Sequence, residues 1–411
     1  MNESIVQLKE GKTLPDGWRW VRLGDVCGDA ETRDPTISPE TLFQYIDISG
    51  VDATTKRILS AHTILGKDAP SRARQVVKAN DILVATTRPN LNAVALVPTE
   101  LDEEICSTGF CVLRPASEID PLFIFFFVQT SDFVRLVSGE VRGMLYPAVT
   151  DSQVRAISIP LPPLSEQKRI AAKVQELMKE VERGRTACEA QLEAARALPK
   201  AYLRQVFESE EAKKWERRRL GELFGVQQGV AMSPERREGR TPYPFLRTLN
   251  VLWGRVDLSM LDKMDFTDEE VSKLSLKPGD LLVCEGGEVG RTAIWRGEMD
   301  TCLYQNHIHR LRKLNDTIVP QFYMYWMQAA FQVFGSYSGE ESKTTIPNLS
   351  GNRLKAFLFP FPPAQVQARI ATELRAKMEE AEKLAASIEK ELESIRALPQ
   401  AILRKVFSGE L

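Results

Sequence analysis

The sequence predicts an α+β protein made of two copies of one plan: a mixed α/β head followed by a long α-helix, twice over. Three observations carry this. Stretches 200 positions apart match, so that Pro162, Arg169-Ile170-Ala171, Ala197-Leu198-Pro199 and Phe207 reappear as Pro362, Arg369-Ile370-Ala371, Ala397-Leu398-Pro399 and Phe407. A constant offset requires a helix of fixed length in both copies, because one insertion would break the register. Between the helices, short apolar runs bounded by turn residues alternate with amphipathic stretches. The helices themselves carry an apolar stripe of 3.5-residue period that needs a facing helix, and the simplest partner is the other copy. The expected architecture is an antiparallel coiled coil with a pseudo-two-fold repeat, its heads at residues 1–160 and 209–360 and its helical segments at 161–208 and 361–411.

In chain order, Trp18 to Gly24 opens the first head and Trp215 to Gly221 the second. Residues 29–40 and 233–243 form polar loops, the second one basic. Alternation predicts strands over Phe43–Ile48 and Phe245–Val251. The turns Lys78-Ala79-Asn80-Asp81 and Lys277-Pro278-Gly279-Asp280 feed apolar strands at Ile82–Ala85 and Leu281–Cys284. Phe110–Leu113 and His307–Leu311 read as further strands. Leu122–Leu136 and Phe322–Phe334 repeat apolar residues at helical spacing and are expected to pack on the sheets as helices.

Ser165 is placed to cap the first long helix, its oxygen accepting an orphan N–H while Glu166 faces the positive end of the dipole. The stripe runs through Ile170, Val174, Leu177, Val181, Cys188, Ala195, Leu198 and Tyr202, and in the second copy through Leu374, Ala381, Leu384, Ile388, Ile395, Leu398 and Ile402. Gly184 and Gln191 interrupt the first seam. Pro199 and Pro399 lack a donor and clash one turn back, which predicts a kink or a fresh short helix at each. From Ser165 to Leu198 the helix extends roughly 50 Å at about 1.5 Å per residue.

Composition is that of a globular chain, with 43% apolar and 27% charged residues and a net charge of −2. Residues 1–160 carry 16 basic and 21 acidic side chains, and 210–360 carry 21 and 20, so neither head shows the basic excess common in nucleic-acid binders. The six cysteines have no C-x-x-C spacing and are expected to be buried thiols of a reducing cytoplasm. His307 and His309 would share a strand face, yet no third ligand is near, so no metal site is expected. The longest apolar run, Leu122–Val128, is far below the ~20 residues of a bilayer span. Met1–Gly11 is too polar for a signal peptide.

No phosphate loop, G-x-S-x-G elbow or amino-methyltransferase signature is present, and Gly286-Gly287-x-x-Gly290 reads as a tight turn rather than a cofactor fingerprint. The sequence thus predicts no catalytic residues and no bound cofactor. Loop residues able to contact phosphates and base edges are better represented. In the first head they are Arg33, Arg72, Arg74, Arg88, Asn90, Asn92, Arg142 and Tyr146. In the second they are Gln227, Gln228, Arg236, Arg237, Arg240, Lys343, Thr344 and Thr345.

Leu161-Pro162-Pro163-Leu164-Ser165-Glu166-Gln167 with Arg169-Ile170, the long helix, and its copy 200 residues on closely resemble the specificity subunit of type I restriction–modification enzymes. The likeness spans the whole chain, although Ala364-Gln365-Val366 departs from the motif. It implies that the heads are target-recognition domains, each reading half of a split, asymmetric site in double-stranded DNA, with the paired helices as a ruler. It further implies that two DNA-methyltransferase subunits dock on the helices and carry the S-adenosylmethionine, and that restriction subunits join the complex. Diverged heads on a preserved frame suit two different half-sites. A coiled-coil scaffold whose heads bind protein is the alternative, as is an unaided nuclease or methyltransferase.

Overall fold

The computed structural model describes residues 14–139, 148–237, 239, 242–335 and 349–410. The chain divides into two compact units. One holds the residues up to Cys188 together with those from Glu391 onward, and the other is Glu189–Lys390.

In the first unit, one four-stranded sheet has the order His62–Leu65, Leu42–Ile46, Ile105–Ser107, Ala73–Val76. A second has the order Cys27–Gly28, Phe110–Pro115, Ile82–Ala85, Val94–Leu96. Arg19–Arg22 pairs with Ser158–Leu161, which closes the head where the long helix begins. The second unit repeats the plan. Phe224–Gln228, Ile308–Lys313, Leu281–Cys284 and Thr292–Ile294 form its larger sheet, and Asp262–Asp265, Pro242–Leu246 and Leu303–Tyr304 its smaller one. Arg217–Arg219 closes it against Leu358–Pro360. A parallel ladder also recurs, with Tyr45 opposite Ile105 in one head and Phe245 opposite Leu303 in the other.

The predicted strands Ile82–Ala85 and Leu281–Cys284 form as expected, buried along their whole length. Two sequence expectations are corrected in the smaller elements. The strand expected over Phe245–Val251 is Pro242–Leu246, followed by a 3-10 turn at Thr248–Asn250. The single helix expected over Leu122–Leu136 is two, Pro121–Phe127 and Ser131–Ser138, bent by 66° at the break. Thr130 causes the restart, because its hydroxyl accepts the N–H of Phe133 and caps the second piece. Among the described residues, no single helix is long and apolar enough to cross a membrane.

The long helices run Leu164–Phe207 and Ala364–Phe407. Ile170 and Val174 share a core with Leu403 and Val406 in the first unit, and Leu203 shares one with Ile370 and Leu374 in the second. The start of each helix therefore meets the end of the other, the antiparallel sense. Ile170, Val174, Leu374 and Ile388 are buried in the seam. Leu177, Val181, Leu198 and Ile395 are half-buried. Leu384 and Leu398, expected in the seam, are instead 45% and 43% exposed. Ala381, expected in the stripe, is buried, and Ala371 and Leu392, outside the expected stripe, are buried with it.

No fresh helix starts at the prolines, since Pro199 and Pro399 both lie inside 44-residue helices. The lost hydrogen bond is offset by burial on either side, at Leu192 and Ala195 before Pro199 and at Leu203 and Phe207 after it. Ser165 is not the cap either. The helix starts at Leu164, and the Pro163 carbonyl accepts the N–H groups of Glu166 and Gln167.

Each head core is completed by the far end of a long helix. In the first unit the Phe407 ring lies 5.2 Å from Phe123 and 5.4 Å from Phe127. In the second, Phe207 lies 5.5 Å from Phe322, 5.3 Å from Trp326 and 6.4 Å from Trp215, all edge-on.

Candidate nucleic-acid interface

The same pair, a buried aspartate and a half-buried arginine, supports a hairpin in each head. The Asp81 carboxylate, 2% exposed, accepts the Lys78 N–H at 2.8 Å and the Arg114 guanidinium at 2.9 and 3.1 Å. Arg114 also donates to the Val76 carbonyl. In the second head Asp280 accepts the Lys277 N–H at 2.8 Å and Arg312 at 2.6 and 2.8 Å, while Arg312 donates to the Ser275 carbonyl. Charge-assisted, two-pronged bonds of this kind fix orientation as well as position. They make the root of each hairpin rigid.

On these equal roots stand unequal tips. In the first head the tip is Thr86-Thr87-Arg88-Pro89-Asn90-Leu91-Asn92, closed by the Ala85 N–H on the Ala93 carbonyl at 3.0 Å. Arg88 and Asn92 adopt left-handed backbone, with φ of 52° and 50°. For residues other than glycine this conformation is costly and marks a loop held in one shape. Pro89 stiffens it, and the Lys56 ammonium donates to the Asn92 carbonyl at 2.6 Å. Burial pulls Lys56 down to about 8, against the opposing pull of Asp52. Asn90 and Leu91 are exposed, and so is Arg88.

The corresponding tip of the second head is Glu285-Gly286-Gly287-Glu288-Val289-Gly290, closed by the Cys284 N–H on the Arg291 carbonyl at 2.9 Å. Its left-handed positions are filled by Gly287 and Gly290, at 74° and 79°. A side chain at Gly290 would also collide with the Phe331 ring. Gln228, at the end of its strand, reaches this tip by donating to the Glu285 carboxylate at 2.9 Å and to the Asn306 carbonyl at 2.8 Å. Glu285 Oε2 lies 3.7 Å from the buried His309 Nε2, which is bonded to the Leu349 carbonyl at 3.0 Å. Burial holds that imidazole below its usual range, and Glu285 only partly opposes the effect.

The chain returns to each tip at the same place, since Val149 N–H bonds the Thr86 carbonyl at 2.9 Å and Leu349 N–H bonds the Glu285 carbonyl at 3.1 Å. Arg142, Tyr146, Arg240, Lys343, Thr344 and Thr345 lie outside the described residues.

The other sequence candidates occupy different surroundings. Arg33 and Arg74 are brought together by an N–H to carbonyl bond of 2.8 Å. Their charges are balanced, Arg33 facing Glu103 at 3.5 Å and Arg74 facing Asp34 at 3.6 Å, while Arg72 beside them is exposed. Arg236 is committed inward, forking onto Glu270 with two bonds of 2.8 Å. This bond holds the Glu270 carboxyl below the usual carboxylate range. Arg237 is exposed, and Gln227 donates to the Gln228 carbonyl.

Lys56, Glu285 and Asn306 were missed by sequence reasoning. The Asp52-x-Thr54-Thr55-Lys56 turn was the available signal for the first, because Asp52 accepts both threonine N–H groups. His307 and His309 do not share a face: His307 precedes the strand and is exposed, whereas His309 is buried. Among the described residues, no group of three or more His, Cys, Asp and Glu is placed to hold a metal ion.

Two heads on one frame, each followed by a helix of equal length, invite comparison with known proteins. The sequence matches the family model for the type I restriction modification DNA specificity domain twice, over residues 15–190 and 212–394. The chain belongs to this specificity family. Among solved structures, the specificity chain is similar to the HsdS subunit from Thermoanaerobacter tengcongensis, at 34% identity and a TM-score of 0.72 over 98% of this chain and 99% of that one. A chain from a structure of a type I restriction–modification system, solved for its assembly and conformational transition, matches at 34% identity with a TM-score of 0.82, over 98% of this chain and all of that one. The specificity subunit of the EcoKI enzyme of Escherichia coli K12 is 24% identical over 82% of this chain and 76% of its own length. That of the StySPI enzyme of Salmonella potsdam is 24% identical over 98% and 91%. The protein is thus a type I restriction–modification specificity subunit.

Proposed function

We propose that this subunit is the non-catalytic DNA reader of its complex, with residues 1–160 and 209–360 as target-recognition domains and 161–208 and 361–411 as helical spacers. Each head reads one half of a bipartite, asymmetric site in double-stranded DNA. The paired helices set the gap between the halves and dock two methyltransferase subunits, through which restriction subunits join. S-adenosylmethionine is carried by the methyltransferases.

One observation supports this reading above the others: two hairpins with the same Asp–Arg root carry different tips. Arg88, Asn90 and Asn92 offer donors and acceptors to a groove on a stiffened loop. The glycine-rich second tip exposes the Glu288 carboxylate, with Gln227 and Gln228 at the strand end beside it. Base-reading groups must change with the bases, whereas a supporting frame need not. A helix of 44 residues is about 66 Å long, more than the roughly 34–36 Å that separates half-sites one turn apart.

The test is methylome sequencing of a host carrying the neighbouring methyltransferase, with and without this chain. A split motif with a fixed gap, present only with the chain, is expected. No chain-dependent motif, with the methyltransferase folded and bound to the chain, would favour a protein-binding scaffold instead. Where the split motif is found, exchange of one head is expected to change only one of its blocks.

A further inference from the structure

The glutamine that ends the Pro-Pro-x-x-x-Gln motif has a structural task in both copies, and it is the same task. Gln167 sits in the first turn of its long helix and is 2% exposed. Its amide oxygen accepts the backbone N–H of Asp120 at 2.9 Å, and its amide nitrogen donates to the Pro162 carbonyl at 2.9 Å. Gln367 is fully buried, accepts the N–H of Val319 at 2.9 Å and donates to the Pro362 carbonyl at 2.8 Å. Asp120 and Val319 are equivalent residues, each the N-cap of the head's core helix that begins Pro121 or Pro320.

Each glutamine thus ties three things at one point: the core helix of the head, the strand-to-helix turn, and the first turn of the long helix. Apolar contacts around it tolerate small rotations, because they are not directional. Hydrogen bonds do not, since they weaken steeply once bent. Of the side chains, only a primary amide of this length supplies an acceptor and a donor at both ends of the joint; glutamate lacks the donor when ionised, methionine has no donor and only a weak acceptor, and asparagine is too short.

We propose that Gln167 and Gln367 are positioning residues for the gap in the DNA site: latches that fix the angle at which each head leaves its helix. The proposal rests on the reading of the heads as half-site readers. One base-pair step advances the duplex by about 3.4 Å, a tenth of the spacing of half-sites one turn apart. A subunit that distinguishes neighbouring gaps must hold each head more tightly than that, and the latch is where such stiffness is built.

The two joints are not equally strong. In the first unit Gln400 adds a second amide bridge, accepting the Ser131 N–H at 3.1 Å and donating to the Gln129 carbonyl at 2.9 Å. The equivalent position in the first copy is Lys200, which has no acceptor to offer. The second head therefore depends more heavily on its single latch.

The experiment uses the full chain with its neighbouring methyltransferase on a duplex library, with both recognition blocks held constant and the gap varied by one and two base pairs. Gln367→Met is expected to lower the preference for the native gap by about tenfold, below the ~100-fold that a misplacement of about 1 Å costs, with base preferences in both blocks unchanged. Gln167→Met alone is expected to have a smaller effect, and Gln167→Met with Gln400→Leu to match Gln367→Met. A role confined to stability would lower melting temperature and total methylation equally at every gap, leaving the preference intact. That result, from variants shown to be folded by their melts, would overturn the proposal. A wild-type chain with no gap preference at all would overturn the half-site reading along with it.

Discussion

Replacing Phe207 with alanine tests whether the second head depends on the end of the first long helix. The Phe207 side chain is 5% exposed and meets Trp215, Phe322 and Trp326 edge-on at 6.4, 5.5 and 5.3 Å. Truncating a buried phenylalanine costs about 3–5 kcal/mol through lost transfer energy and the cavity left behind. Edge-on aromatic pairs contribute roughly 0.5–1.5 kcal/mol each beyond their area, which places this site in the upper half of that range, at about 4 kcal/mol. A domain holds only about 5–15 kcal/mol in total. In a unit of this size the melting temperature should fall by roughly 8–16 °C. The assay is thermal unfolding combined with hydrogen exchange, so that the loss is assigned to particular peptides. Amides of Leu281–Cys284 and Pro320–Gln332 should lose protection first, and Phe207→Leu, which keeps most of the volume, should cost less than about 1.5 kcal/mol. A loss under about 1 kcal/mol, or protection lost elsewhere while the second head stays intact, would refute the packing argument.

Leu384→Gln should change stability by less than about 0.5 kcal/mol because the side chain is exposed, whereas the buried Leu374→Ala should cost about 2–5 kcal/mol; urea titration of both variants checks the seam assignment. Arg236→Ala should lower the stability of the second unit through its half-buried fork with Glu270 and leave DNA base preference unchanged, while Arg88→Ala with Asn90→Ala should do the reverse, with about 1–3 kcal/mol of lost discrimination at one recognition block, read by binding to substituted duplexes. The His309 imidazole, held below its usual value of 6.5, stays neutral in the fold as the unfolded chain takes up a proton. Stability of the second unit is therefore full above that value and falls as pH drops through it; His309→Gln should flatten the slope of the urea midpoint between pH 7 and pH 5, and an unchanged slope would count against the assignment.

What was legible in the sequence was whatever depends on neighbours along the chain. Ile82–Ala85 and Leu281–Cys284 are apolar runs behind turns whose aspartates were visible, and they formed where expected. The long helices were legible for the same reason, through their repeat. The seam was only partly legible, because two ladders a few residues apart both look apolar. Ala381 is legible through its spacing, but leucines at 384 and 398 outweigh the alanine at 371 by hydrophobicity, and it is Ala371 that is buried. Proline at 199 signalled a break that burial on both sides overrode. Long-range partners left no local trace. Gln167 meets Asp120, and Arg114 meets Asp81, across distances in sequence that no window covers. Among the DNA candidates, Arg236 looked free in a basic loop because its partner Glu270 lies in a separate helix.

The first compact unit draws its core from both ends of the described chain, with Leu403, Val406 and Phe407 packed among Phe123, Phe127 and Ile170. During synthesis this has a cost in time. The first head is complete as a sequence by Pro160, but the residues that seal it are added more than two hundred positions later. At about 5–20 residues per second, that interval is on the order of 10–50 seconds. Through that interval the apolar face that Phe407 will cover stands open on the ribosome-bound chain. The second head has no such wait for its sealing aromatic, because Phe207 is made before the helix Pro320–Gln332 it packs against. Of the two heads, the first to be translated is the last that can close.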